Sequence, residues 1–326
     1  MTTKPKAFQE PDFETLLAEY IEFAVGYCAE QDEEKAKQLR EAFNNQGELL
    51  AQVTQAFVLK RTAEIREQNH QALQMFRKYV SDSNMVDLLA MQYSIKRQVL
   101  EPEDNTVFPP KAAVMESDES LLRRFDLAPY QFHTTGTRLG YRFHALTLDE
   151  RPTITVDSEP EAVTMRFEFP VDVQPALVKD AQARMLEPNS GKVCVALLSR
   201  EQPDGVPSSE LLTRAGAYLN RDDIAQESDL VTVKAAMTKP YQIAVTLYTG
   251  ADPNTHIDSA QAEQVARQFA DKAHRLGGII DREEVAHIFY ELGAKRAKVQ
   301  QPAADVICQW DEAPYCTGVT IDVRAE

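Results

Sequence analysis

Near the start of the chain, apolar positions recur at helical spacing. Phe13, Leu16, Tyr20, Ala24 and Tyr27 fall three or four apart behind Asp12. The carboxylate of Asp12 suits the open first turn of a helix, so a helix is predicted from that point. After a charged segment the spacing resumes at Leu39, Phe43, Leu50, Val53 and Phe57, then continues through Ile65, Ala72, Phe76 and Tyr79. Gly47, behind Asn44 and Asn45, breaks or bends this array. Neither Pro nor Gly interrupts residues 48–80, which predicts one helix of roughly 50 Å at about 1.5 Å per residue. Ser81-Asp82-Ser83-Asn84 reads as a stop and a fresh cap, with a further helix through residues 86–96.

Two readings of this stripe stay open. It is the core of a local bundle, or it is a seam for helices of another chain. Little nearby sequence is available to cover so long an apolar face. That favours a partner-helix interface at Phe43, Leu50, Val53, Phe57, Ile65 and Phe76.

At Pro102 the texture changes. Three prolines within residues 101–114 read as an extended linker. A short helix is predicted from near Ser117, with Leu121–Phe125 as its body, and residues 133–146 read as a turn and a helix. Residues 154–158 and 163–169 alternate and are β-branched, as strands are. Residues 176–187 read as helix. From Lys192 onward the pattern predicts a strand at 192–198, a polar turn and a helix at 208–219. Strands at 230–236 and 241–249 follow, separated by a turn at Lys239-Pro240. Helices over 258–275 and 281–292 and strands near 296–300 and 317–323 complete the chain. Val193, Val195 and Leu197 are expected on one side of a sheet, with Leu211, Leu212 and Tyr218 seating the helix upon it.

The class is therefore α+β. A long-helix region covers 1–100, and a linker and small mixed middle domain cover 101–189. A split βαβ-type α+β domain covers 190–326. That last part is expected to fold alone and to associate with copies of itself through its sheet edges.

Charge narrows the partners. The formal net charge is −16. Residues 1–100 hold 12 basic against 15 acidic side chains, and the remainder holds 23 against 36. Neither part has the basic excess of a phosphate-backbone binder, so nucleic acid is not an expected partner. No apolar run approaches the ~18 residues of a membrane span, so no membrane partner is expected. The first residues lack the apolar core of a signal peptide. Four cysteines without a CxxC pair suit a reducing cytoplasm, and Cys194 reads as a small buried hydrophobe.

Candidate chemistry is sparse. The turn after residue 198 has one glycine and no lysine, unlike a phosphate loop, and no three spaced glycines mark a dinucleotide site. Glu201 and Asp204 oppose an anion there. Six histidines, at 70, 133, 144, 256, 274 and 287, form no HExxH or HxH. Cys308 and Cys316 make a poor zinc pair without histidines. Trp310, the one tryptophan, reads as packing. No catalytic, cofactor-binding or metal-ligating residue is assigned.

Several of these stretches, taken in order, resemble one family. They include VDLLAMQYSIKRQVLEPEDNTVFPP, AAVMESDESLLRRF, TTGTRLGYRFHALTLD, KVCVALLSREQPDG, KPYQIAVTLYT and HRLGGIIDREEVAHIFYEL. Their order and texture are similar to the baseplate J-like wedge proteins of contractile-tailed phages and phage-tail-derived particles. PDFETLLAE is similar to the same family's N-terminal helix. The resemblance implies a structural, non-enzymatic subunit of the virion tail baseplate, made in the bacterial host cytoplasm. It implies N-terminal helices bundled with other wedge proteins, among them a small helical wedge partner and a sheath-initiator subunit. It also implies C-terminal domains pairing with other copies in a ring around the tail hub. Residues near 160–189 depart from shorter members as an insertion of roughly 30 residues. The alternative is an enzyme or ligand-binding module using a cleft between the middle and C-terminal domains.

Overall fold

The structure, a computed structural model, describes residues 5, 8–132, 136–150, 152–159, 161–168, 175–250 and 257–325. The chain forms two compact units, Met1–Gln92 and Tyr93–Glu326.

The first unit is helical: α1 (Phe13–Ala29), α2 (Glu33–Asn44), α3 (Leu49–Gln74) and α4 (Ser83–Met91). Aspartates cap three of the four. Asp12 accepts from the Thr15 amide, Asp32 from Glu34 and Lys35, and Asp82 from Asn84 and Met85. Each thereby satisfies amides that the first helical turn leaves unpaired. Arg40 of α2 grips Glu22 of α1 through two bonds of 2.6 and 2.8 Å. Ala51, Val58, Thr62 and Leu73 are the buried side of α3.

The long helix ends at Gln74, six residues short of the expected Val80. Its terminator is the Gln74 side chain, which is buried. The carbonyl oxygen of that side chain accepts from the Ser81 and Asp82 amides at 2.8 and 3.1 Å, and its amide donates to the Tyr79 carbonyl. Residues 75–80 fold into turns around that amide, which competes with continued helix. The next helix also stops early, at Met91 rather than at residue 96.

In the second unit, β1 (Val99–Glu101) pairs with β2 (Val114–Met115), and an Asp104–Lys111 bridge lies between them. The proline-rich stretch is thus a hairpin excursion, not the expected extended linker. Two backbone bonds between Asp104 and Lys111, 2.9 Å each, close it. Ser117 caps α5 (Asp118–Leu127), a 3-10 turn covers Ala128–Phe132, and Thr137 caps α6 (Arg138–Leu146). The segment expected as an insertion, near 160–189, contains β4 (Ala162–Glu168), which pairs antiparallel with β3 (Thr153–Glu159) just before it.

The segment that follows corrects the helix expected at 176–187. It is β5 (Val178–Met185), antiparallel to β6 (Lys192–Ser199) along its length. Its helix-favouring alanines lose to tertiary demand. Every side chain of β6 after Lys192 is buried, and a strand so placed needs a neighbour on each edge. The other neighbour is β7 (Leu230–Ala235), parallel to β6 and reached through α7 (Ser209–Leu219).

The second sheet centres on β8 (Met237–Thr249). Helices α8 (Ser259–Ala273) and α9 (Arg282–Glu291) follow, with the short pair β9 (Ile279–Ile280) and β11 (Val306–Ile307). β10 (Arg296–Gln301) lies antiparallel on one side of β8 and β12 (Glu312–Ala325) parallel on the other. Ile243, Val245 and Leu247 of β8 meet Ala262, Ala266, Val285 and Phe289 of the helices in the core. The close helix approach follows from the alanines.

The elements expected beyond Lys192 occur in their expected order, but they do not share one split βαβ sheet. β6 and β7 belong to one sheet; β8, β10 and β12 belong to the other. No turn forms at Lys239-Pro240, because β8 runs through it. β10 reaches only Ala244–Tyr248, so Pro240 lies where one side of β8 is unpaired and a missing N–H is tolerated. The boundary expected at 189/190 falls between β5 and β6, two strands of one sheet.

Two outcomes follow from this packing. Gln74→Leu is expected to cost the helical unit about 2 kcal/mol, the scale of a buried polar group left unsatisfied. Urea unfolding, together with faster hydrogen exchange at the Ser81 and Asp82 amides, measures it. A fragment of residues 186–326 lacks β5 and is expected to aggregate through the open edge of β6. Residues 93–326 are expected to melt cooperatively, as size-exclusion chromatography and calorimetry on both fragments would show.

Candidate functional site

Helix α3 has two apolar faces. At about 100° per residue, Leu49, Leu50, Val53 and Phe57 gather on one side, roughly 150° around from Ala51, Val58, Thr62 and Leu73. The second set is packed and the first is exposed, with Phe57 62% accessible. Three of the six expected seam residues, Leu50, Val53 and Phe57, therefore share one open face. Phe43 at the end of α2 and Ile65 on α3 are half-buried instead. Phe76 lies beyond the end of α3; it is exposed, but its ring meets the edge of Phe8 at 6.1 Å. Leu49 and Leu59 of α3, and Phe23 and Tyr27 of α1, are also exposed. Phe23 and Tyr27 stand four apart, a spacing that marks one helix face. Phe23, three residues after Tyr20, also has helical spacing and belongs with Tyr27 on the exposed side of α1.

In the second unit, the strand–turn–helix from Lys192 to Asn220 holds no room for phosphate. Ser208 caps α7. Glu201 occupies the space before it, accepting from the Ser208 amide at 2.7 Å, the Ser208 hydroxyl at 2.9 Å and the Ser199 hydroxyl at 3.2 Å. The chain supplies its own anion to this helix end. Val193, Val195 and Leu197 are buried as expected, but so are the alternate residues, Cys194 among them. Leu211 and Tyr218 are buried and Leu212 is half-buried.

Alongside lies a buried ionic cluster. Arg124 is 1% exposed. It donates to Glu116 at 2.7 Å, to Glu150 at 2.5 Å and to the Lys96 carbonyl at 3.1 Å. Glu116 also accepts from the Ser120 hydroxyl and the Gln98 amide. Arg97 holds Asp118 and the Glu116 carbonyl, both at 2.7 Å. The cluster ties the start of α5, the strand β1 and the turn after α6 into one body.

A cleft of about 730 Å³ opens between α5, β5, the loop after β6 and the end of α8. It occupies the region between the expected middle and C-terminal domains. Its hydroxyls are committed to structural bonds: Ser117 caps α5, Ser120 donates to Glu116, and Ser199 to Glu201. His274 faces the Lys179 ammonium at 3.3 Å rather than a hydroxyl. Burial, then that ammonium, lower its pKa. Among the described residues lining the cleft, no hydroxyl is hydrogen-bonded to a histidine, and the carboxylates that accept from Ser120 and Ser199 are themselves tied into the fold by Arg124 and by the start of α7.

Elsewhere, Trp310 packs beside Ala196, Leu198 and Leu276, with the Lys234 ammonium over its ring at 4.9 Å. Cys308 and Cys316 are free thiols, and burial pushes Cys308 up to about 11. Among the described residues, no three His, Cys, Asp or Glu side chains gather to hold a metal, and no helix is long and apolar enough to cross a membrane. His133 and His256 lie outside the described residues.

No family model matches the chain. It is 26% identical over 314 residues to baseplate protein J of Escherichia phage P2, covering 96% of this chain and 93% of that protein. A likeness running along nearly all of both chains bears out the resemblance to baseplate J-like phage proteins.

Two variants test the polar framework. Arg124→Met leaves the Glu116 carboxylate buried without its cation and is expected to cost about 3–5 kcal/mol. Adding Glu116→Met is expected to restore much of that, because it removes the stranded charge; chemical denaturation of both measures it. Glu201 sits partly desolvated, which raises its pKa, but the bonds from Ser208 and Ser199 outweigh this and hold it below 4.5. Its folded value thus lies below its unfolded one. Its contribution is full above pH 4.5 and is lost as pH falls through the folded value. Glu201→Gln is expected to flatten that acid limb in a series of melts from pH 6 to pH 3.

Proposed function

We propose that this chain is a wedge subunit of a contractile tail baseplate, built to be held by other proteins rather than to turn over a substrate. The likeness to a phage baseplate protein supports a structural baseplate subunit in the virion tail. The observation that carries the finer reading is the second apolar face of α3. Leu49, Leu50, Val53 and Phe57 stand exposed on a helix already packed on its other side. Such a face suits helices of a second wedge protein, whether the small helical wedge partner or the sheath-initiator subunit.

Self-association around the tail hub belongs to the second unit. Strand β12 is 14 residues long and forms one edge of its sheet. An edge of that length is a template for another chain. Ile279 and Ile307 face one another across β9 and β11, and both are exposed.

Phe57→Asp tests the helical seam. It is expected to weaken assembly with the other tail proteins roughly tenfold or more, the scale of a buried aromatic anchor. Melting of residues 93–326 is expected to stay unchanged. Co-expression with the candidate tail proteins and mass measurement of the complexes give the readout. Assembly at normal affinity would place the seam elsewhere.

A further inference from the structure

The cleft beside α5 concentrates cations in an acidic chain. Arg123, Lys179, Arg200, Lys272 and Arg275 all line it. Four carboxylates line it too, but all are engaged. Asp271 holds Lys179 at 2.5 Å, and Glu119 faces Lys272 at 3.4 Å. Asp180 accepts from Arg142 and from the Ala181 and Leu276 amides, while Glu201 serves the end of α7.

Three arginines are left over. Among the described residues, no carboxylate lies within ion-pair distance of Arg123, Arg200 or Arg275. The Nε of Arg123 is buried with no hydrogen-bond partner. Among the described residues, the Arg200 side chain donates only to the Val178 carbonyl. Burial depresses its pKa, and Arg123 and Arg124 add to that against the opposing charges of Glu116 and Asp271. Arg123 and Arg200 are half-buried and close enough to repel one another, while Arg275 is exposed at the rim. Guanidinium groups so placed without an ion-pair partner are costly unless an anion completes them.

From this we infer that the cleft is a docking site for an acidic peptide segment of a protein partner, whose carboxylates complete Arg123, Arg200 and Arg275. A cleft of about 730 Å³ is far larger than one small oxyanion needs. Its cations come from α5, the loop after β6 and the end of α8, so they match a ligand spread over several residues. The neighbouring helix end, which would otherwise help to hold phosphate, is filled by Glu201. An excess of 13 acidic side chains beyond residue 100 repels a polyanion that cannot enter the cleft.

Titrating the full chain with a fluorescein-labelled, end-blocked hexaglutamate peptide, followed by anisotropy at 20 and 200 mM NaCl, tests this. Binding is expected at low salt and is expected to weaken with salt, as screened charge contacts do. Arg123→Gln and Arg275→Gln break no ion pair of the free chain, and each is expected to weaken binding roughly tenfold. Arg184→Gln makes the same charge change on an exposed residue outside the cleft and is expected to leave binding unchanged. The proposal is overturned if the peptide fails to bind at low salt, or if Arg184→Gln weakens it as much as Arg123→Gln. It is also overturned if inorganic phosphate protects the cleft while the peptide does not, which would make it a small-oxyanion site.

Discussion

Strand β6 sends no side chain to solvent after Lys192, and most of the second unit is arranged to satisfy that. A strand buried on both faces must have each edge paired, or its amides and carbonyls stay unsatisfied in an apolar interior. β5 supplies one edge and β7 the other. This is why β5 is a strand despite its alanines, and why α7 crosses over to return β7 parallel. Asp180, at the start of β5, is consequently buried. It is stabilised there by Arg142 of α6 and by the Leu276 amide beyond α8. One paired strand therefore ties together segments that are separated by almost a hundred residues.

The helical unit solves a different problem. α3 is long for its surroundings, and α1 and α2 leave one of its faces uncovered. Where a soluble monomer places charge, α3 places Leu49, Leu50, Val53 and Phe57. Exposed apolar surface of this kind lowers solubility and is kept where another surface covers it. It fits the reading of the chain as one part of an assembly, in which much of the stabilising burial is completed between subunits.

Electrostatics divides along the same line. The chain as a whole repels polyanions, yet it keeps a local group of unpaired arginines beside a fully satisfied ionic cluster at Arg124, Glu116 and Glu150. In the cluster, each charge has a partner and the result is rigidity. In the cleft, one residue along the chain at Arg123, the guanidinium has no carboxylate within ion-pair distance among the described residues. Adjacent residues on one helix thus serve opposite ends: one locks the fold, and the other is available to a ligand.

Much was legible in the sequence because its signals are local. Asp12, Ser117 and Ser208 announced helix starts through cap chemistry that depends only on the next three residues. The alternation of Ile243, Val245 and Leu247 marked a core strand whatever its neighbours, and the absence of a glycine-rich loop argued against phosphate. The exposed face at Leu50, Val53 and Phe57 was also in the pattern. Whether that face was open or covered was not, since exposure depends on which helices pack where. Tertiary structure alone decided the rest. It turned residues 176–187 into β5, because pairing with β6 outweighs helix propensity. It ended α3 at Gln74, because a side-chain amide reached amides seven and eight residues on. It divided β7 from β8 between two sheets with no turn between them, because strand partnership is set by long-range pairing that no local spacing records. And it brought Arg123, Arg200 and Arg275 to one cleft from three distant stretches, which composition could register only as a few cations in an acidic chain.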